Sequence, residues 1–151
     1  MDRRQFMMAG AALAAGVASG AGAQESMGPA KPGSSPAALA DPKKRELAEA
    51  GAECVKAGEV CMEHCLELLR QGDKSMVKCS ETVAAMLPMC RALAALATQG
   101  SPYLAEHART CAKVCRDCEA ACKVHASHHE SCKRCMETCQ RCAADCEKFA
   151  A

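Results

Sequence analysis

Aromatic residues are nearly missing from this chain: Phe6, Phe149 and Tyr103 stand alone, and there is no tryptophan. That excludes an interior built on packed rings, and leaves Ala, Leu, nine Met and 14 Cys to fill a core. A charge surplus is missing too, with 19 basic residues against 18 acidic ones. Nothing in that balance draws the chain to nucleic acid or to an anionic membrane surface. The apolar stretch from Met7 to Val17 is too short and too rich in Gly and Ala to span a bilayer. No nucleophile is paired with a base in the manner of an active site, so an enzyme is not expected.

The N-terminus instead reads as a targeting segment. Arg3-Arg4 precede Gln5-Phe6-Met7, the apolar stretch follows, and Ala21-Gly22-Ala23 forms an A-x-A cleavage pattern. Paired arginines before Phe and an apolar run resemble a twin-arginine export signal. The basic residue usual after that Phe is missing, which keeps a general secretory signal as the alternative. Residues 1–23 are read as this signal, and the mature protein is expected to be exported to the periplasm. Cleavage removes Asp2, Arg3 and Arg4, so 17 basic and 17 acidic residues remain of the original 19 and 18. Residues 24–40, rich in Pro, Gly, Ser and Ala, read as a flexible leader.

Residues 41–151 carry the punctuation of four helices. The first opens at Asp41-Pro42, an N-cap followed by proline at the first helical position, and stops at Gly72. The second runs from about Asp73 to Thr98 and ends at Gly100; Pro88 inside it should kink or loosen it. The third opens at Ser101-Pro102 and continues to about Ala126. The fourth begins with Ser127-His128-His129-Glu130, read as a capping box, and runs to the C-terminus. Connections of two or three residues fold each helix back on its predecessor, predicting an all-α, antiparallel up-down-up-down four-helix bundle.

Each helix carries one stripe at alternating spacings of three and four, the mark of a bundle's buried face. The stripes are Leu47, Cys54, Gly58, Cys61, Cys65 and Leu68; then Met76, Cys79, Val83, Met86, Cys90, Leu93 and Ala97. The third is Leu104, Ala108, Cys111, Cys115, Cys118, Cys122 and His125, and the fourth Cys132, Cys135, Cys139, Cys142, Cys146 and Phe149. No cysteine falls off a stripe. Residues equally distant from a connecting turn should meet. Around 126–127 this pairs Cys122 with Cys132, Cys118 with Cys135, Cys115 with Cys139 and Cys111 with Cys142; around 72–73 it pairs Cys65 with Cys79 and Cys54 with Cys90. At ~1.5 Å rise per residue, the run on the fourth helix makes a sulfur column roughly 20 Å long.

Several uses of such a column compete. One or two buried cysteines would be ordinary small apolar residues, but a whole stripe set exceeds that role. Disulfides suit an oxidising compartment; yet neighbours on one helix have Cβ atoms ~5–6 Å apart, beyond the ~3.5–4.5 Å a disulfide needs. Iron–sulfur clusters are wrapped by loops, whereas the Cys132–Cys146 run suits a straight helix. Structural zinc needs four tetrahedral ligands and is served by far fewer thiols. Soft thiolates select Cu(I), which accepts two or three sulfurs, and many such ions can share one column. A core of bare thiolates would be prohibitively costly, so the thiols should stay protonated until each ion displaces a proton and adds its own charge. A bridging arrangement approaches roughly one ion per cysteine, a storage stoichiometry. A thiol redox or disulfide-buffering protein and a structural zinc module remain the alternatives.

The two ends of the expected bundle differ. Leu47, Leu93, Leu96, Tyr103, Leu104 and Phe149 gather as an apolar plug at one end. His64, Met76, His125, His128 and His129 gather at the other, and imidazole and thioether both suit Cu(I). That end is expected to be the mouth, with His64 and Met76 as the ligands there. For His125, His128 and His129, surface or capping roles serve as well, and His107 is given none.

The segments CVKAGEVCMEHC (54–65), SMVKC (75–79), CAKVCRDCEAAC (111–122) and CKRCMETCQRCAADC (132–146) resemble the bacterial copper storage proteins, whose four-helix bundles are lined with cysteine. The resemblance extends from about Cys54 to the C-terminus. It implies multiple Cu(I) ions held mainly by the thiolates of Cys54, Cys61, Cys65, Cys79, Cys90, Cys111, Cys115, Cys118, Cys122, Cys132, Cys135, Cys139, Cys142 and Cys146. It further implies contributions from the positions of His64 and Met76, a homotetramer of bundles, and the exported branch of the family. Relatives can carry Met where this chain has Leu68 and Gln71. Copper storage also calls for a donor and a recipient protein, neither of which the sequence identifies.

Overall fold

The computed structural model describes residues 40–151; the expected signal and nearly all of the leader lie outside them. Among the described residues there are four α-helices: α1 (Pro42–Arg70), α2 (Val77–Gln99), α3 (Leu104–Lys123) and α4 (Glu130–Ala150). A short 3-10 turn, Lys74–Met76, leads into α2. α1 packs on α2 and α4, and α3 packs on α2 and α4, while the backbones of the diagonal pairs stay apart. The four helices therefore surround one central axis that all of them face.

The helix ends obey the sequence in some places and depart from it in others. Asp41 caps α1 as expected, its Oδ1 accepting from the backbone N–H of Lys43 at 3.0 Å with Pro42 at the first position. Asp73 does the same for the 3-10 turn, accepting from the Ser75 N–H at 3.0 Å. Gly72 and Gly100 take positive φ of 91° and 64°, the left-handed conformation that ends α1 and α2 and that side chains disfavour. The capping box expected at Ser127–Glu130 does not form. His129 occupies the N-cap of α4 with no side-chain bond, and α3 ends at Lys123. Backbone bonds from His125 to Cys122 and from His128 and His129 to His125 fold residues 124–129 into successive turns, longer than the connection expected. His125 thus lies in the turn, beyond the α3 stripe. The third helix likewise begins at Leu104, later than Ser101-Pro102.

Pro88 does not break α2, which runs unbroken from Val77 to Gln99. Pro88 and Ala84, one turn earlier, are both exposed, so the missing backbone bond falls on the solvent side of the helix. The Lys74–Gln99 stretch is long and apolar enough to cross a membrane by length and composition alone. Its buried face, however, is taken up by α1 and α3.

The core joins thiols to a few aliphatic residues. Leu47, Leu93 and Ala97 are fully buried and Leu104 nearly so, with Phe149 and Leu96 half-buried beside them. These close one end as the sequence suggests, except for Tyr103, which is 70 % exposed and outside the plug. Its position in the turn before α3, rather than on the stripe, turns the ring away from the core.

Candidate metal centre

All 14 cysteines are buried and none is disulfide-bonded. Stripe positions are spaced to follow the inner face of each helix, and the packing points the four stripes at one axis. The sulfurs meet in five groups, within each of which they all lie within 4.8 Å of one another. Cys54, Cys90, Cys115 and Cys142 form one of these, with one thiol from each helix. Cys61, Cys65, Cys79 and Cys132 form a second, near the histidine end. The other groups are Cys61–Cys122–Cys135, Cys111–Cys142–Cys146 and Cys118–Cys135–Cys139. Cys61, Cys135 and Cys142 belong to two groups each, and Cys139 interacts with Cys115 and Cys54. The groups merge into one continuous thiol network along the bundle axis.

Most of the register expected from the turns is present. Cys118 and Cys135 are 3.9 Å apart. Cys65 shares a group with Cys79, Cys54 with Cys90, and Cys111 with Cys142; Cys115 interacts with Cys139. The pairing expected of Cys122 with Cys132 gives way to contacts between hairpins. Cys122 lies 3.5 Å from Cys79, and Cys132 lies 3.8 Å from Cys61. The longer connection between α3 and α4 separates the first turns of that hairpin, and the α1–α2 hairpin supplies the partners instead.

Without metal, thiols donate to one another. Hydrogen bonds led by that from Cys122 hold the Cys79 thiol well below its ordinary range. Cys61, engaged chiefly with Cys122 and then with Cys132, is pushed far up. Cys54 is held down to about 5, first by Cys115 and then by Cys139, against the burial that raises it. Hydrogen bonds thus pass from sulfur to sulfur through the network, and a metal ion arriving there displaces thiol protons.

The end near residues 70–76 and 124–129 holds four of the five histidines, all but His107. His64 Nε2 and His129 Nδ1 are 2.9 Å apart, so one ring donates to the other. The His125 ring lies 6.3 Å from that of His129. Burial, followed by the charges of His64, His125 and His128, lowers the pKa of His129. His64 is half-buried one residue before Cys65, and His129 stands one turn before Cys132, so the pair sits at the end of the thiol column. Met76, 1 % exposed, belongs to the same core as the cysteines. The linking of His64 to His129 had a sequence signal, since position 129 precedes Cys132 by three and shares its face. His107 ties α3 to α2, its Nε2 donating to the Met89 carbonyl at 2.9 Å.

The donor set fits soft ions. It is almost entirely sulfur, enclosed, free of carboxylates, and spaced so that one sulfur can serve two ions. Hard cations find no oxygen cage among these groups.

Solved structures share this architecture. A Cu(I)-bound copper storage protein is 28 % identical, with a TM-score of 0.66 over 72 % of this chain and 99 % of that one. The apo form of copper storage protein 3 from Bacillus subtilis is also 28 % identical, with a TM-score of 0.62 over 71 % and 98 %. A Streptomyces lividans copper storage protein, loaded with 10 copper equivalents, is 27 % identical, with a TM-score of 0.66 over 72 % and 84 %. No curated protein sequence matches the chain. The family model described as copper storage protein matches residues 40–151, the whole stretch in which the thiol network is built, and the chain belongs to the copper storage protein family.

Proposed function

We propose that this protein takes up Cu(I) at the histidine-bearing end of the bundle and stores it along the axis on all 14 cysteine thiolates. The observation that carries the reading is the network itself: every thiol is buried, reduced, and within 4.8 Å of at least two others in its group. Copper storage by a cysteine-rich bundle is the function of the family; multiple Cu(I) ions are its cargo, and no catalytic step is involved. Cu(I) accepts two or three sulfurs, so each group of three or four thiols holds more than one ion when sulfurs bridge, with a ceiling of roughly one ion per thiol. Neutral thiols keep the empty core free of buried charge, and thiolate charge appears only as copper charge arrives to offset it.

His64 and Met76 serve as the outermost ligands, supported by their place at the end of the column and by imidazole and thioether chemistry. Export supplies the setting. Arg3-Arg4 and the apolar run after them support a twin-arginine route to the periplasm, which carries proteins already folded. A homotetramer of bundles, and exchange with a separate donor and recipient of copper, complete the reading.

Anaerobic titration of the reduced protein with Cu(I) against a competing chelator tests it. Storage requires tight uptake of roughly ten or more ions per chain. Saturation at three or four ions, or equal preference for Zn(II), would return the protein to the structural zinc class; no selective uptake would favour thiol redox buffering.

A further inference from the structure

The thiol network is lopsided at its middle. α3 and α4 contribute Cys118, Cys135 and Cys139 there, gathered within 4.8 Å; α2 adds no thiol to this group, and α1 reaches it only from the adjoining groups, with Cys61 at Cys135 and Cys54 at Cys139. The neighbouring contacts fix what stands opposite. On α1, Cys54 and Cys61 join groups on either side of this level, and Gly58 lies between them. On α2, Cys79 meets Cys122 and Cys90 meets Cys115, so Val83 and Met86 face the level of Cys118. Met86 is fully buried. Its side chain reaches across to α1, where its methyl carbon lies 2.6 Å from the point that a Cβ on residue 58 would occupy. Glycine at position 58 leaves the notch that this methyl occupies.

Resting on the storage reading above, we propose that Met86 is a buried Cu(I) ligand at the middle of the column, completing the Cys118–Cys135–Cys139 site from the α1–α2 side. Three features favour a ligand over a space-filling role. Thioether sulfur is a soft donor suited to Cu(I). Cys135 is shared with the Cys61–Cys122 group, so an ion at this level must divide that thiolate with its neighbour. The α1 thiols that reach this group, Cys61 at Cys135 and Cys54 at Cys139, belong to the adjoining groups; Val83 offers no donor atom and Gly58 no side chain, which leaves Met86 as the soft donor between Cys79 and Cys90 on α2. Three rotatable bonds also let the thioether swing from the Gly58 notch toward the axis without moving the helix. As a neutral ligand it adds coordination without adding to the negative charge of the core.

The test uses the full chain labelled with selenomethionine in a Met76→Leu background, so that the mouth thioether is absent. Se-edge X-ray absorption of the Cu(I)-loaded protein is compared with that of the same protein carrying Met86→Leu, a swap of similar volume. A Cu–Se path at bonding distance in the first and its loss in the second supports the assignment. No such path in the first, or a path undiminished by Met86→Leu, overturns it. Should the Met86→Leu chain fail to fold, the methyl resonance of [methyl-13C]methionine at position 86 in the parent protein decides the matter: a shift upon loading that is absent with Zn(II) supports ligation, and an unmoved resonance refutes it. Copper uptake measured on the same samples separates the two readings. High uptake without Cu–Se contact rejects Met86 alone, whereas failure to load rejects storage as well.

Discussion

The Sγ atoms of Cys79 and Cys122 lie 3.5 Å apart, the shortest of the thiol–thiol hydrogen bonds, and they tie one helical hairpin to the other. Cys61 extends that link, 4.0 Å from Cys79 and 3.8 Å from Cys132. Between hairpins the core therefore coheres through the atoms proposed to hold the cargo, while aliphatic packing is concentrated at the closed end.

The group drawn from all four helices should set a countable share of capacity. Replacing Cys54, Cys90, Cys115 and Cys142 together with alanine is expected to lower Cu(I) capacity by about four ions, at roughly one per thiol. Helical circular dichroism should persist. Capacity unchanged in a folded variant would place the copper elsewhere.

At the closed end, stability and capacity should separate. Leu93 is fully buried and bears no donor atom. Leu93→Ala is expected to cost about 2–5 kcal/mol in the copper-free protein, from lost burial and a residual cavity. Urea unfolding would measure that cost, and chelator competition should find the copper count intact.

Two glycines of α1 should respond differently to an added methyl. A Cβ at residue 51 would stand 2.8 Å from the Cys90 carbonyl oxygen, which is backbone and cannot yield. At residue 58 the obstacles are the flexible ends of Met86 and Leu87, at 2.6 and 2.9 Å. Overpacking costs about 1–3 kcal/mol, against roughly 1 kcal/mol gained in helix propensity. Gly51→Ala is therefore expected to lower the melting temperature clearly more than Gly58→Ala; the reverse order would contradict the helix contact.

Acid should weaken the histidine end. The pKa of His129 is lowered in the folded protein, by burial first and then by its charged neighbours, so the unfolded chain binds that proton more readily. Stability is then lost as the pH falls through the ordinary histidine value near ~6.5 and levels off below the lowered folded value. The copper-free protein should melt at a lower temperature at pH 5.5 than at pH 7.5, and His129→Asn should narrow that gap. An equal or wider gap in the variant would assign the effect to other groups.

Loading should depend on the same end. His64→Ala with Met76→Leu is expected to slow Cu(I) transfer from a chelator in stopped-flow measurements, with final capacity falling by no more than about two ions. Rates equal to those of the unaltered protein would mean that copper reaches the thiols by another path.

Much of this architecture is legible in the sequence because cysteine spacing and helix period coincide. Cys111 to Cys122 and Cys132 to Cys146 can share a face only on helices, and short turns leave little choice of register near the middle of each hairpin. Legibility fails where local turn geometry governs. Ser127 has the chemistry of a cap, but successive turns from Cys122 through His129 bond the backbone to itself and leave that cap unused. The longer turn also changes the partner of Cys122, which lies on α2 rather than on α4. Tyr103 departs from the plug for the same reason, since hydrophobicity marks a residue as fit for burial but a turn decides where it points.

By itself the sequence determined that the chain is helical, that its thiols occupy inward positions, and that soft metal chemistry suits them, because periodicity and ligand type are local properties. Only the tertiary structure decided which thiols meet. Grouping Cys54 with Cys90, Cys115 and Cys142, linking His64 to His129, and setting Met86 against Gly58 all depend on how four helices are rotated and staggered about a common axis. Those rotations follow from close packing between helices distant in sequence, which no single segment encodes.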